Sequence, residues 1–218
     1  MHSFADLLAI TKRLRADDGC PWDKVQTHES LRGCMIEEAY EVVEAIDHKD
    51  DENLKEELGD VLLQVTMHSE IASEDGRFTI EDVVDGISEK LIRRHPHVFG
   101  NTEVNSVDGV LKNWEEIKQA EKKEKTEWDG LIRIPTSLPA CLRAQKIQKK
   151  AKKAGYSFPE DLRGTMIRML GEEELSESQI GELLFLTVLL AEKSGIDGEN
   201  ALAQYNKRII EKILKENQ

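Results

Sequence analysis

Glu37-Glu38-Ala39-Tyr40-Glu41 and, a short way downstream, Glu57-Leu58-Gly59-Asp60 decide how this chain is read. Both clusters lie in strongly helical sequence. Residues three or four apart on a helix share a face, so Glu38 and Glu41 project together, Glu37 aligns with Glu41, and Glu57 pairs with Asp60. The polar turn between them, His48 to Asn53, is short, which predicts an antiparallel helical hairpin with the two sets face to face. Carboxylates gathered in this way repel one another unless a cation or a proton intervenes. An all-oxygen donor set selects a hard cation, Mg²⁺ or Mn²⁺, over zinc or copper. Such a cation also receives phosphate and acidifies water. A solvated acidic face is the plainer alternative. Against it, Ile36, Ala39, Tyr40, Val42 and Val43 crowd the first cluster and leave little of that helix to face water. Gly59 within a helix costs about 1 kcal/mol relative to Ala, and a close helix–helix approach would account for it.

Helical periodicity extends outward from this hairpin in both directions. A first amphipathic helix runs from Ser3 to Ala16, with Ser3 and Asp6 set as a capping box. Residues Asp17 to Val25 read as a Gly/Pro loop. The hairpin helices span about Glu29 to Asp47 and Leu54 to Ser73. Thr79 and Asp82 cap a fourth helix that ends near His95-Pro96, and a fifth spans Val107 to Glu124. Trp128 to Pro139, with one Gly and two prolines, reads as a linker. Further helices follow at Ala140–Ala154, Pro159–Leu170, Ser178–Lys193 and Glu199–Lys215. The expected fold is all-α, with domains at 1–125 and 140–218 joined through 126–139.

Composition agrees with that class. Charged residues make up 33% of the chain, aromatic residues only 5%, and Glu, Lys, Leu and Ala dominate. A net charge of −13 argues against a general nucleic-acid binder. The three cysteines, Cys20, Cys34 and Cys141, form no CxxC pair, which disfavours a disulfide framework or a zinc site. No apolar run reaches the roughly 18 residues of a membrane span, and the N-terminus is too short and charged for a signal peptide. A cytoplasmic location is expected, without membrane or nucleic-acid partners.

The motifs together resemble the MazG family of all-α nucleoside triphosphate pyrophosphohydrolases. The resemblance is carried by GCPWDKVQTHESL (Gly19 to Leu31), EEAYEVVEAI (Glu37 to Ile46), EELGDVLLQV (Glu56 to Val65), KLIRRHPHVFG (Lys90 to Gly100) and NWEEIK (Asn113 to Lys118). It implies hydrolysis of NTPs and dNTPs between the α and β phosphates, giving a nucleoside monophosphate and pyrophosphate. It implies Mg²⁺, with Mn²⁺ as a substitute, on Glu38, Glu41, Glu57 and Asp60, with Glu37 orienting water or acting as base. Lys90, Arg93 and Arg94 stand at a helix C-terminus, where favourable interaction with the helix dipole competes with a role as a triphosphate clamp. The family pattern puts phosphate at Lys90 and Arg94, and nucleotide near Trp114 and Lys118. Apolar helical hairpin faces lead to the expectation of a homodimer. Two rivals remain: a selective dUTP or phosphoribosyl-ATP pyrophosphohydrolase, and a nucleotide-sensing helical protein without turnover.

The other motifs read more plainly. His95 and His97 flank Pro96 as a helix stop, His68 reads as a buried or interface histidine, and Trp22 as a lid or loop anchor. The basic run Arg143, Lys146, Lys149, Lys150, Lys152 and Lys153 reads as a solvated helix face. The two halves show weak internal similarity: Gly19-Cys20-Pro21-Trp22 is echoed by Gly155-Tyr156-Ser157-Phe158, and Gly59-Asp60-Val61 by Gly181-Glu182-Leu183. In the second half, Glu173-Glu174-Leu175-Ser176-Glu177 matches the first acidic motif. Only Ser178 separates it from Gln179-Ile180-Gly181-Glu182, which leaves no room for a hairpin. The expectation is therefore tandem MazG-like helical-bundle units, the second degenerate, without catalytic metal, and with its first helix shortened to Leu162–Leu170.

Overall fold

Ser3 starts the first helix by accepting the backbone N–H of Asp6, while the Asp6 carboxylate accepts the N–H of Ser3 at 2.7 Å. In the computed structural model, residues 1–104, 106–121, 126 and 128–216 are described. Among them the fold is all-α, without a strand. The chain divides into two compact units, Met1–Trp114 and Glu115–Gln218. The division falls inside a helix, and the expected end of that helix at Glu124 lies outside the described residues.

The first unit holds α1 (Phe4–Arg15), α2 (Pro21–Lys24), α3 (Arg32–His48), α4 (Asp51–Glu74), α5 (Ile80–Arg94), α6 (Pro96–Phe99) and the start of α7 (Val107–Glu121). Two of these are additions to the sequence reading: α2 and α6 are single turns, each opened by a proline at its first position, where a missing N–H costs nothing. The hairpin turn is two residues long. Lys49 takes the left-handed conformation (φ 57°) and ends α3. Asp50 then caps α4, its side chain accepting Asn53 N–H at 3.1 Å. That cap starts α4 three residues before the expected Leu54.

α4 is the spine of the unit, packed against α1, α3 and α5. Its C-terminal half is buried, with Met67 and Ile71 meeting Leu31, Cys34 and Leu63. The Thr11 and Thr66 hydroxyls meet at 3.1 Å between α1 and α4. Arg15, its side chain only 5% exposed, binds the Glu74 carboxylate through two nitrogens at 2.8 and 2.7 Å. It also donates to the carbonyls of Asp23 and Gln26, which fixes the α2 segment to the end of α4.

The second unit holds the end of α7 with α8 (Asp129–Ile132), α9 (Ala140–Lys153), α10 (Leu162–Leu170), α11 (Glu177–Lys193) and α12 (Gly198–Glu216). Its core is Leu162, Leu186 and Leu189 under Phe158, Met166, Met169 and Leu190. Gln148 is fully buried and donates to the Phe185 carbonyl at 2.7 Å, joining α9 to α11. Within the Trp128–Pro139 stretch, α8 lies against α9, and Gly130 and Ile134 are buried. The basic residues of α9 are partly paired: Lys152 binds Glu192 at 2.6 Å and Lys153 binds Glu115 at 3.2 Å.

Candidate active site

α3 and α4 run side by side from the Lys49–Asp50 turn, and their helical phase sets which side chains meet. Carboxylate oxygens of Glu38, Glu41 and Glu57 lie within 4.8 Å of one another, each residue half-buried. Among the described residues this is the one cluster of three or more acidic, histidine or cysteine side chains placed closely enough to share an ion. Asp60 lies outside that set of oxygens but close enough for its charge to act on both Glu38 and Glu57.

The electrostatics follow from crowding like charges. Glu38 is pushed above the ordinary carboxyl range by loss of solvent, then by its hydrogen bond with Glu41, then by the charges of Asp60, Glu41 and Glu57. Glu57 is raised by loss of solvent and by Glu41, Asp60 and Glu56. Two carboxyl groups share a hydrogen bond only when one carries a proton. Without a cation, the crowding raises the proton affinity of Glu38 and Glu57. Glu37 is exposed at its edge.

Not every neighbour behaves as the sequence suggested. Ile36, Tyr40 and Val43 do not wrap α3 in apolar cover; each is 51% exposed. Gly59 marks no close helix approach, since a Cβ there would meet nothing within 4 Å. Trp22 stands on α2 and is 60% exposed. The exposed side chains lie outside the unit's own core, which is formed by the far half of α4.

The basic and aromatic residues named from the sequence for the nucleotide fall on α5 and α7. Lys90 and Arg93 are exposed near the C-terminus of α5. The Arg94 guanidinium lies 5.3 Å from the centre of the Trp114 ring, within cation–π range. Lys118 belongs to the second unit, 3.8 Å from Glu115. His95 closes α5, its Nδ1 2.7 Å from the Leu91 carbonyl, and its ring tilts against His97. His68 has a partner that the sequence reading missed: His28 Nδ1, at 2.8 Å. The signal was present in Thr27-His28-Glu29-Ser30, but nothing in the spacing ties it to a residue forty positions away.

In the second unit, α10 occupies Leu162–Leu170 as expected. Glu173 and Glu174 fall in the link to α11. Ser176 and Gln179 form a capping box there, and Gln179 also donates to Glu172. The residues matching the acidic motif thus serve a helix start.

An all-α unit with a carboxylate-bearing hairpin defines a class, and comparison with known proteins specifies it. Residues 26–99 match the MazG nucleotide pyrophosphohydrolase domain. Over 97% of this chain and 84% of its relative, the sequence is 43% identical to the nucleoside triphosphate pyrophosphohydrolase/pyrophosphatase MazG of Thermotoga maritima. It is 39% identical to the nucleoside triphosphate pyrophosphohydrolase of Escherichia coli K12, over 95% of this chain and 84% of that one. A 53% identity over 68% of this chain, and 30% of the other, links it to an uncharacterized Bacillus subtilis protein, YabN. The chain belongs to the MazG nucleotide pyrophosphohydrolase family.

Proposed function

We propose that this chain is a Mg²⁺-dependent enzyme that hydrolyses NTPs and dNTPs to a nucleoside monophosphate and pyrophosphate. The observation that carries this reading is the convergence of Glu38, Glu41 and Glu57, with Asp60 beside them, in a chain whose near full-length relatives bear that activity in their names. The donor set fits the cation. It is all oxygen, it is half-buried, and its members raise one another's proton affinity, which a divalent charge would relieve. Mn²⁺ suits the same ligands.

Glu38, Glu41, Glu57 and Asp60 would hold the cation, which supplies Lewis-acid neutralisation of phosphate charge and acidifies water. Water attacks the α-phosphorus, the bond to the bridging oxygen breaks, and pyrophosphate leaves. Glu37 is assigned to orienting that water. Lys90, Arg93, Arg94 and Lys118 are assigned to the polyphosphate, and Trp114 to the base, since an aromatic face binds any base by stacking. The pairing of Arg94 with Trp114 supports placing phosphate and base recognition side by side.

A homodimer belongs to the same proposal. Ile36, Tyr40 and Val43 of α3, Leu58 and Leu62 of α4, and Leu91 of α5 are all exposed large apolar residues in this unit, and such surface suits an interface. No helix among the described residues is long and apolar enough to cross a membrane. A cytoplasmic setting without nucleic-acid partners completes the reading, supported by the unpaired Cys20, Cys34 and Cys141 and the acidic charge balance.

The test is pyrophosphate release with Mg²⁺ across all common NTPs and dNTPs, with dUTP and phosphoribosyl-ATP included. Broad turnover, lost in Glu41→Gln and in Asp60→Asn by at least about a hundredfold, is the expected result. Turnover of a single nucleotide would establish the selective alternative, and unchanged release in either variant would sink the assignment.

A further inference from the structure

Arg77, His28 and His68 form a chain of hydrogen bonds at the end of the hairpin opposite the Lys49–Asp50 turn. Arg77 Nη2 lies 2.7 Å from His28 Nε2, and His28 Nδ1 lies 2.8 Å from His68 Nδ1. The two imidazoles are parallel within 6°, with centroids 5.0 Å apart. A nitrogen separation this short is less than the thickness of two rings in face-to-face contact. The rings therefore meet edge to edge, nearly coplanar, as an N–H···N bond requires.

The donor directions are determined by chemistry. A guanidinium can only donate, so His28 Nε2 accepts. A neutral His28 then carries its proton on Nδ1 and donates to His68 Nδ1, leaving the His68 proton on Nε2. The chain has room for one proton between the two Nδ1 atoms. A second would set N–H against N–H, and turning His28 to the other tautomer would set its Nε2–H against Arg77. Loss of solvent and the neighbouring His28 already hold His68 below the ordinary histidine range. The other charges facing the pair are Arg77, itself 2.9 Å from Asp75, and Glu29, which is held ionised by its own and Thr27's hydrogen bonds and, to a smaller degree, by His28 and Arg77.

What the pair joins gives it consequence. His28 sits in the turn just before α3, made rigid by reciprocal bonds between Thr27 and Ser30 and by Leu31 N–H donating to the Thr27 carbonyl. His68 sits on α4. The hairpin is therefore tied at one end by Lys49 and Asp50 and at the other by the two histidines. Glu38, Glu41, Glu57 and Asp60 lie along the stretch between these ties.

We propose that His28 and His68 are a positioning pair that holds the start of α3 in register with α4, and that entry of a second proton releases it. The neutral pair contributes stability above the ordinary histidine pKa near 6.5, and that contribution is lost as pH falls through the depressed value of the folded state. This deepens the reading of the carboxylate site and rests on it for its catalytic consequence, but the pair itself is tested without nucleotide or metal.

Hydrogen exchange of the full chain, corrected for intrinsic rates, reads the amides of residues 32–41 near pH 7.5 and near pH 5. The wild type is expected to lose about tenfold of its protection there at the lower pH, while the end of α4 near Asp51 changes little. His28→Asn is expected to keep protection at both values, because its side-chain amide donates to His68 or, turned over, accepts from it. His68→Phe is expected to lack protection at both. Nitrogen-15 NMR of the wild-type imidazoles gives an independent reading: two coupled titration steps, the lower one below the ordinary range. Equal losses in wild type and His28→Asn, or two histidines titrating independently at the ordinary value, would overturn the proposal. Pyrophosphate release then separates the two readings. A proton-released register makes the acid-side fall in wild-type rate shallower in His28→Asn, whereas failure of the catalytic assignment removes turnover and leaves the exchange result intact.

Discussion

Glu57 shows how one residue can weaken the fold while serving the site. Its carboxylate is held above the ordinary value of 4.5 by loss of solvent, Glu41 and Asp60, so ionising it in the folded chain is disfavoured. For a carboxyl raised by folding, the penalty is full above the folded-state value and disappears as pH falls toward the unfolded one. Glu57→Gln, melted in the presence of a chelator, is therefore expected to exceed the wild type in Tm at pH 7–8. The two Tm values should converge as pH approaches about 4.5. A variant no more stable than wild type at neutral pH would show that the repulsion is already relieved by solvent. The pairing of Glu38 with Glu41 on one helix face was legible in the sequence, because helical spacing sets which carboxylates on a helix align, whereas the approach of Glu57 without Asp60 depends on how the two helices pack. The histidine pair was not legible, since His28 lies in a turn and its partner is placed by tertiary packing rather than by any periodicity.

Among the elements, α3 and α4 were foreseen because each carries a long apolar period and the turn between them is polar and short. The single turns α2 and α6 were missed because four residues hold no period; the first lies in a stretch that reads as a Gly/Pro loop, and the second begins at Pro96, which reads as a helix stop. α4 began early because Asp50 acts as a cap, a signal obscured by the run of neighbouring polar residues. That cap offers a clean stability test. Asp50→Ala leaves the Asn53 N–H without its side-chain acceptor and is expected to cost about 1 kcal/mol in urea unfolding. Lys49→Gly, by contrast, relieves a left-handed residue and is expected to be neutral or stabilising by up to about 1 kcal/mol. The reading of the faces was less successful than that of the helices. Apolar residues on α3 were assigned to cover within the chain, yet the unit's own core is packed by the other half of α4, leaving Ile36, Tyr40 and Val43 outside.

At the scale of the whole molecule, those outward residues bear on assembly. Sedimentation over a range of protein concentrations is expected to show a dimer, and Tyr40→Glu is expected to shift it to monomer while helical content is retained. A wild type that stays monomeric at all concentrations would remove the dimer from the proposal. The two units differ in a way that substitution cannot erase. α3 has 17 residues and α10 has 9, a difference of about two helical turns at 1.5 Å per residue. The link after α10 then runs directly into the Ser176–Gln179 cap. Giving the second unit a carboxylate hairpin would require inserting chain ahead of that cap, with a new turn to reverse it. A library of point variants, however large, would not reach that arrangement, so any search for a two-centred form of this protein has to begin with changes in length.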